Sequence, residues 1–445
     1  MLQYITINDL ALTIDQARSS AEIAARIEAA ITAGELAPAT RLPPVRALAA
    51  TGGVSPATVA AAYRTLSRRG LVSANRRRGT VVAPRPPLRI RGARPVPPGV
   101  RDLATGNPDP ALLPPLAPAL ARIEPEHKLY GGPAKLERLV HLARAAFQAD
   151  GVGGDVAVVG GALDGIERVL QTHLRPGDAV VVEDPSWPRI SDLVGALGFS
   201  LAPVRVDRRG LLPEELERAV AEGAGAVIAT PRGQNPSGAA LDDERARALR
   251  RVLGGRDVLV IEDDYLSVVA GAPYVSIHDD SDHWVVIRSL SKILGPDLRV
   301  APMVGDPQTI SRVEGRQLLG SGWVSHLLQQ TAANLWGSAS TRRLLARAER
   351  TYAERRAALA HALAARGVAA EAGTGFGLWI PVEEEVPVVQ ALLARGWAVS
   401  AGERYRFESP PAVRVTTTTL PRGEADTFAD AIAAALATTD DTYAG

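Results

Sequence analysis

The run Val285-Val286-Ile287-Arg288-Ser289-Leu290-Ser291-Lys292 decides how this chain is read. A short β-prone stretch leads into two hydroxyls and a lysine, and Arg299 stands seven residues farther on. A lysine at a strand end can hold an aldehyde covalently, while neighbouring hydroxyls and a guanidinium can bind a phosphate. The lysine also stands out by rarity. Of 50 basic residues only Lys128, Lys135 and Lys292 are lysines; the other 47 are arginines. Arginine keeps its proton near neutral pH and cannot condense with an aldehyde, so a retained lysine raises the question of what arginine could not do there.

Outward from this run, other β-prone stretches end in groups of the same kind. Residues 258–262 run into Asp263-Asp264-Tyr265, a carboxylate and a phenol; pyridoxal 5'-phosphate (PLP) requires an acid beside its pyridine nitrogen to make the ring an electron sink. Residues 226–230 lead to Gln234-Asn235-Pro236-Ser237-Gly238, which offers an amide for the ring oxygen. Residues 156–159 lead to Gly160-Gly161-Ala162, a glycine turn into a helix that presents N–H groups to a phosphate. Residues 179–183 lead to Asp184-Pro185-Ser186-Trp187, where Trp187 can stack on the pyridine face. Singly, these are a surface lysine, a helix cap, a core tryptophan and ordinary turns. Together they sit at the ends of successive strands of one α/β sheet, where such folds bind ligands. With the run at 300–304, the short apolar strands separated by helical stretches predict an α/β fold with a mostly parallel sheet covered on both faces.

The chain has 445 residues, enough for two or three domains. Its apolar fraction of 46% with 22% charged residues is that of a globular protein, and no run approaches the ~18 apolar residues of a membrane span. The first residues lack a basic region followed by a long apolar core, so no signal peptide and a cytoplasmic location are expected. The absence of cysteine excludes disulfides, thiolate nucleophiles and thiolate metal sites, and no metal is expected. The net charge of +1 conceals an asymmetry: residues 1–100 carry 14 arginines against 5 acidic residues, and no acidic side chain lies between Glu35 and Asp102. Basic charge confined to one segment is the footprint of a nucleic-acid-binding module.

That segment has its own grammar. Ser19 and Glu22 form a capping box, followed by Ile23, Ile27 and Ile31 at helical spacing. Pro44 opens a second short helix with Arg46; the turn Thr51-Gly52-Gly53-Val54 leads to a third, with Ser55 as N-cap, Pro56 first and Gly70 as terminator. Helix, tight turn, helix is helix-turn-helix grammar. Residues 71–73 and 80–82 predict a hairpin wing with the basic tip Arg76-Arg77-Arg78-Gly79. The third helix is then the recognition helix. Ser55 and Thr58 lie at its start, Arg46 and Arg64 flank it, and the wing arginines suit phosphate contacts. Residues 84–99 hold six prolines in sixteen positions, an extended, semi-rigid tether.

The order from Leu42-Pro43 through Arg46, Val54-Ser55, Thr58-Val59, Tyr63, Leu66, Gly70-Leu71 and Gly79-Thr80 resembles the GntR-type winged helix-turn-helix over roughly 65 residues, with Pro56 where that family often has arginine. From about Asp102 to Leu436 the chain resembles a fold-type I aminotransferase, and the whole resembles the MocR-type regulators. The resemblance implies a DNA-binding domain at residues 1–83, a linker at 84–100 and an aminotransferase-like PLP domain at 101–445. It further implies that Lys292 carries the cofactor, that Asp263 pairs with the pyridine nitrogen, and that Tyr265 and Asn235 bond the ring oxygen. Ser289, Ser291, Arg299 and the backbone at Gly161 and Ala162 would hold the phosphate, and Trp187 would stack. Arg414, in Ala412-Val413-Arg414-Val415, matches an arginine that grips a substrate carboxylate. Tyr130, in Leu129-Tyr130-Gly131-Gly132, matches a tyrosine that reaches the partner's phosphate in a head-to-tail homodimer. Two departures stand out: Gly160-Gly161-Ala162 lacks a hydroxyl common in the phosphate turn, and Lys135 replaces a glycine. The expected function is a transcription regulator that binds double-stranded operator DNA and PLP and senses a small amino compound, or PLP itself. The alternative is an active aminotransferase carrying a DNA-binding appendage.

Overall fold

The computed structural model describes residues 19–32, 35–37, 39–68, 71–75, 79–83, 96–279 and 281–440. The chain divides into two compact units, one centred on the N-terminal helices and one on a large sheet.

In the first unit, helix α1 (Ser20–Thr32) starts at the capping box: Glu22 N–H donates to Ser19 Oγ at 3.2 Å and Ser19 N–H donates to Glu22 Oε2 at 3.2 Å. Helices α2 (Val45–Thr51) and α3 (Pro56–Arg68) follow, with Pro44 capping α2 rather than forming its first turn. Ile23 and Ile27 of α1 bury against Leu48 of α2 and Val59, Ala62, Tyr63 and Leu66 of α3. Strands β1 (Val72–Asn75) and β2 (Gly79–Val82) pair antiparallel in the register Asn75↔Gly79, the expected wing, and place Val72 and Val82 on the same core. Gly79 has φ +73, a left-handed conformation that favours glycine at the base of the wing, and a Cβ there would lie 3.1 Å from Arg41 Nε. Tyr63 Oη donates to the Pro43 carbonyl at 2.9 Å and ties α3 to the start of α2. Arg76, Arg77 and Arg78, the Gly70 stop and most of the proline-rich stretch lie outside the described residues.

The second unit begins with β3 (Arg101–Asp102). Its large sheet contains β4 (Asp155–Val159), β5 (Ala179–Asp184), β6 (Ser200–Asp207), β7 (Gly210–Leu211), β8 (Ala224–Ala229), β9 (Leu259–Asp263), β10 (Trp284–Ile287) and β11 (Ala301–Gly305). The order across the sheet is β4-β11-β10-β9-β8-β5-β6-β7. Strands β5, β8, β9 and β10 are parallel, and β11 runs antiparallel to both β10 and β4. Strands β4, β5, β8, β9 and β10 therefore all point their C-terminal ends to one edge, the edge at which β11 begins. That geometry gathers the loops carrying Gly161, Trp187, Asn235, Asp263 and Lys292, and the turn holding Arg299 joins them because β11 starts there. Every residue of β9 is buried, as are Val156–Val159 of β4 and Val285–Ile287 of β10, which accounts for the apolar runs there, broken in β9 by Glu262 and Asp263 at its end.

A smaller lobe completes the unit. Strands β12 (Gly377–Pro381), β14 (Ser400–Ala401) and β15 (Ala412–Thr416) form an antiparallel sheet in the order β12-β15-β14, and β13 (Trp397–Ala398) pairs parallel with β3. Its core joins Leu378, Ile380, Val413 and Val415 to Leu359 and Leu363 of the long helix Ala339–Ala364 and to Phe428 and Ile432 of the helix Ala425–Asp440. Among the described residues, no helix is long and apolar enough to cross a membrane.

Candidate functional site

Lys292 lies in the first turn after β10, within the short helix Ser291–Leu294, and its ammonium donates to the Gly106 carbonyl at 2.6 Å. Burial, reinforced by the positive charge of Arg414, pulls its pKa down to about 8. Near neutral pH an appreciable share is the free amine, the form that attacks a carbonyl carbon.

Asp263 ends β9 one strand away and is fully buried at the carboxyl. Burial, then the negative charges of Asp264 and Glu183, push it up to about 7. Its neighbours in sequence are richly partnered. Asp264 accepts from Arg232 Nε and Arg288 Nε, each at 2.8 Å; burial opposes its charge, but these guanidiniums outweigh burial and hold its pKa below the ordinary range. Glu262 accepts from Tyr274 Oη, from Ser276 Oγ at 3.0 Å and from Ile277 N–H at 2.7 Å. Asp263 Oδ1 is buried without a hydrogen-bond partner, and so is Asn235 Oδ1. Buried acceptors are normally satisfied, so the unpartnered carboxylate oxygen of Asp263 at the end of β9 suits an external donor.

The rest of the cluster surrounds them. Tyr265 Oη donates to the Gly233 carbonyl at 2.7 Å; burial raises its phenol, which also feels Arg414, Asp263, Glu183 and Tyr405. Trp187 is half-buried in the loop after β5. At the phosphate side, helix α4 (Ala162–His173) starts at Gly161, whose φ of +117 requires glycine. A Cβ at Gly161 would run into the Arg299 guanidinium, which donates to the Gly160 carbonyl at 3.1 Å and to Ser291 Oγ at 3.5 Å. Arg299 itself has φ 47, left-handed for a non-glycine residue. Ser289 Oγ accepts from Ser291 N–H at 3.3 Å. A glycine cradle at a helix N-terminus, an arginine and two serines thus converge as phosphate binding demands.

Arg414 projects from β15. It is buried, donates to the Ala104 carbonyl at 3.1 Å, and lies with its guanidinium carbon 5.7 Å from the centre of the Tyr405 ring. Tyr130 stands apart from this cluster: it is 93% exposed, with its ring edge-on to Trp323 at 5.6 Å.

Several participants escaped the sequence reading. Glu183 accepts from Thr230 N–H at 2.9 Å, Thr230 Oγ1 at 3.0 Å and Gln234 Nε2 at 3.0 Å, so it ties the end of β5 to the loop carrying Asn235. Burial pushes its carboxyl up to about 7. The Arg232–Asp264–Arg288 cluster, closed by Asp150, anchors the sheet edge beneath the site. Gln234 sits one residue before Asn235 and Glu183 four before Trp187, the only hint the sequence offered; the carbonyls of Ala104 and Gly106 left none.

In the N-terminal unit Arg46, Ser55 and Arg64 are exposed on α2, at the start of α3 and on α3. Ser55 Oγ accepts from Thr58 N–H at 3.1 Å and lies 2.8 Å from Thr58 Oγ1, so both hydroxyls also serve the helix cap.

Comparison with known proteins agrees with both halves. Residues 19–82 match the bacterial regulatory proteins of the gntR family, and residues 99–432 match aminotransferase class I and II. The vitamin B6 salvage pathway transcriptional repressor PtsJ of Salmonella typhimurium is 40% identical over 425 residues, covering 94% of this chain and 99% of that protein. The chain belongs to the MocR-type regulators of the GntR family. Another relative of this MocR-type regulator, the HTH-type pyridoxine biosynthesis transcriptional regulator PdxR of Corynebacterium glutamicum, is 28% identical over 354 residues, 75% of this chain and 76% of that protein. The fold of the large unit matches a kynurenine aminotransferase of Pyrococcus horikoshii with a TM-score of 0.71 at 21% identity, covering 77% of this chain and 91% of that one. The regulator reading therefore stands over that of an enzyme with an appendage. The GntR-type domain of this MocR-type regulator implies DNA binding, and the aminotransferase fold family to which its large unit belongs is PLP-dependent.

Proposed function

We propose that this regulator binds PLP at Lys292 and changes its grip on operator DNA in response to PLP itself. The observation that carries the reading is the buried, unpartnered carboxylate oxygen Asp263 Oδ1 in the cluster around Lys292. A carboxylate buried for purely structural reasons would be internally satisfied, as Glu262 and Asp264 are. The relatives named for vitamin B6 salvage and pyridoxine biosynthesis support the same effector class.

The residues fit the group. PLP supplies an aldehyde and an electron-withdrawing ring. Lys292 would hold the aldehyde carbon, and Asp263 would accept a hydrogen bond from the pyridinium N–H, the donor it lacks. Asn235 and Tyr265 bond the ring oxygen, and Trp187 covers a face of the ring. Ser289, Ser291, Arg299 and the N–H groups at Gly161 and Ala162 hold the phosphate. Tyr130, exposed to an approaching subunit, reaches the partner's phosphate in a head-to-tail homodimer. Arg46, Ser55, Thr58, Arg64, Arg76, Arg77, Arg78 and Gly79 face the operator from a domain spanning residues 1–83. A tether at 84–100 joins it to the effector domain at 101–445, and the protein works in the cytoplasm.

A second reading is favoured by Arg414. A buried arginine whose charge reaches Lys292 suits the carboxylate of a small amino compound, which makes such a compound a further effector. One titration tests both: operator affinity of full-length protein without PLP, with PLP, and with PLP plus amino-acid pools. PLP should shift affinity by the ~1–3 kcal/mol typical of coupled sites. Arg414→Ala should abolish any further shift from carboxylate-bearing compounds and leave the PLP response. Rapid transamination of a common amino acid with no ligand effect on operator affinity refutes the proposal.

A further inference from the structure

The chain between the tether and the site is bound by the same two residues that a ligand would claim. Leaving β3, the backbone turns at Asp102, whose carboxylate accepts from Ala104 N–H at 2.9 Å, Thr105 N–H at 3.0 Å and Thr105 Oγ1 at 2.6 Å. The carbonyls that follow then point inward. The Ala104 carbonyl accepts from Arg414 at 3.1 Å and from Ser400 Oγ at 3.0 Å, and the Gly106 carbonyl accepts from Lys292 Nζ at 2.6 Å. Contact at Gly106 is close: a Cβ there would lie 2.9 Å from Arg414 Nη2. On either side the segment is pinned to the small lobe, by Leu103 N–H to the Ala398 carbonyl at 2.9 Å and by Thr418 Oγ1 to the Asn107 carbonyl at 2.8 Å.

We infer that residues 103–107 are a built-in competitor for the ligand site, released when Lys292 and Arg414 take a ligand, and that this release is how occupancy reaches the tether. This rests on the reading of Lys292 as the cofactor-holding residue. Joining Nζ to an aldehyde carbon forms a C=N bond and expels water, which carries off the aldehyde oxygen with two of the ammonium's three hydrogens. The nitrogen keeps at most one N–H, held by the new ring, and the Gly106 carbonyl loses its donor. A carboxylate on Arg414 competes in the same way for one of the two donors of the Ala104 carbonyl, leaving it Ser400 Oγ. Both events act on five residues that begin three positions after the tether, so site occupancy bears on the backbone next to the tether's C-terminal end. Because the competition is reciprocal, whatever holds the segment in place also weakens ligand binding.

The test uses hydrogen exchange and operator binding on the full chain with PLP as the probe, including Asp102→Ala, a variant of the turn outside the ligand-binding residues. On PLP binding, peptides covering 103–107 should exchange roughly fivefold faster, as loss of one ordinary hydrogen bond implies, while peptides covering 160–164 and 289–292 slow. Asp102→Ala should bind PLP at least as tightly as the parent, yet lose most of the PLP-dependent change in operator affinity. Slower or unchanged exchange at 103–107 despite a visible cofactor band overturns this inference and leaves the cofactor reading intact. Absence of any cofactor band in the parent overturns both. An Asp102→Ala protein whose operator response to PLP equals the parent's overturns the relay.

Discussion

Replacing Asp263 by asparagine should move stability and cofactor affinity in opposite directions. The carboxyl is buried with an unpartnered oxygen, and its pKa rises from 3.8 to about 7 in the folded chain. Folding without cofactor therefore tightens proton binding. Stability owed to this group is fully present below about pH 4 and is lost as pH rises through about 7. At about 1.4 kcal/mol per decade of proton affinity, the loss reaches ~4 kcal/mol at pH 8. Asparagine fills the same volume without a charge. Cofactor-free Asp263→Asn should thus be more stable than the parent at pH 8 by ~2–4 kcal/mol, and between pH 5.5 and pH 8 this advantage should widen by about 2 kcal/mol. Cofactor affinity moves the other way, since a charge-assisted hydrogen bond worth ~1.5–3 kcal/mol is lost, or roughly 10- to 150-fold in Kd. Urea unfolding of the large unit at the two pH values and PLP titration of both proteins measure the two halves. The reasoning fails if the stability difference does not widen with pH, or if the variant binds PLP as tightly as the parent.

Lys292→Ala should abolish the covalent adduct that borohydride fixes to the chain, and mapping the adduct to Lys128 or Lys135 instead would exclude the assignment. Arg46→Ala should weaken operator binding in a sequence-dependent way. Neutralising Arg76, Arg77 and Arg78 should weaken it uniformly and flatten the salt dependence by roughly one unit per lost phosphate contact; an unchanged slope in gel-shift titrations removes the wing from the interface. Tyr63→Phe should destabilise the N-terminal unit by ~1–3 kcal/mol, because the buried Pro43 carbonyl loses its donor; thermal melts showing no change would mean that carbonyl finds another partner.

What the sequence determined alone were features written in local patterns. Ser19 and Glu22 specify a helix start because the capping box closes within four residues. The six runs lie within two residues of strands β4, β5, β8, β9, β10 and β11, because strands buried on both faces are apolar along most of their length. The motif positions after those strands could be named because chain direction in a parallel sheet brings strand ends to one edge. The small lobe was not legible beyond Arg414: β13 and β14 are two residues each, too short for any periodicity to show, and they exist only because β3 and β15 are there to pair with. Nor could the sequence reveal that Glu183 steadies Gln234, that Asp264 is neutralised while Asp263 is left without a partner, or that Gly106 and Ala104 lend their carbonyls to Lys292 and Arg414. Lys292 and Gly106 lie 186 positions apart in the chain, and a backbone carbonyl has no residue-type signature. Which acceptors are filled and which are left open depends on how distant segments pack, and only the tertiary structure decides that.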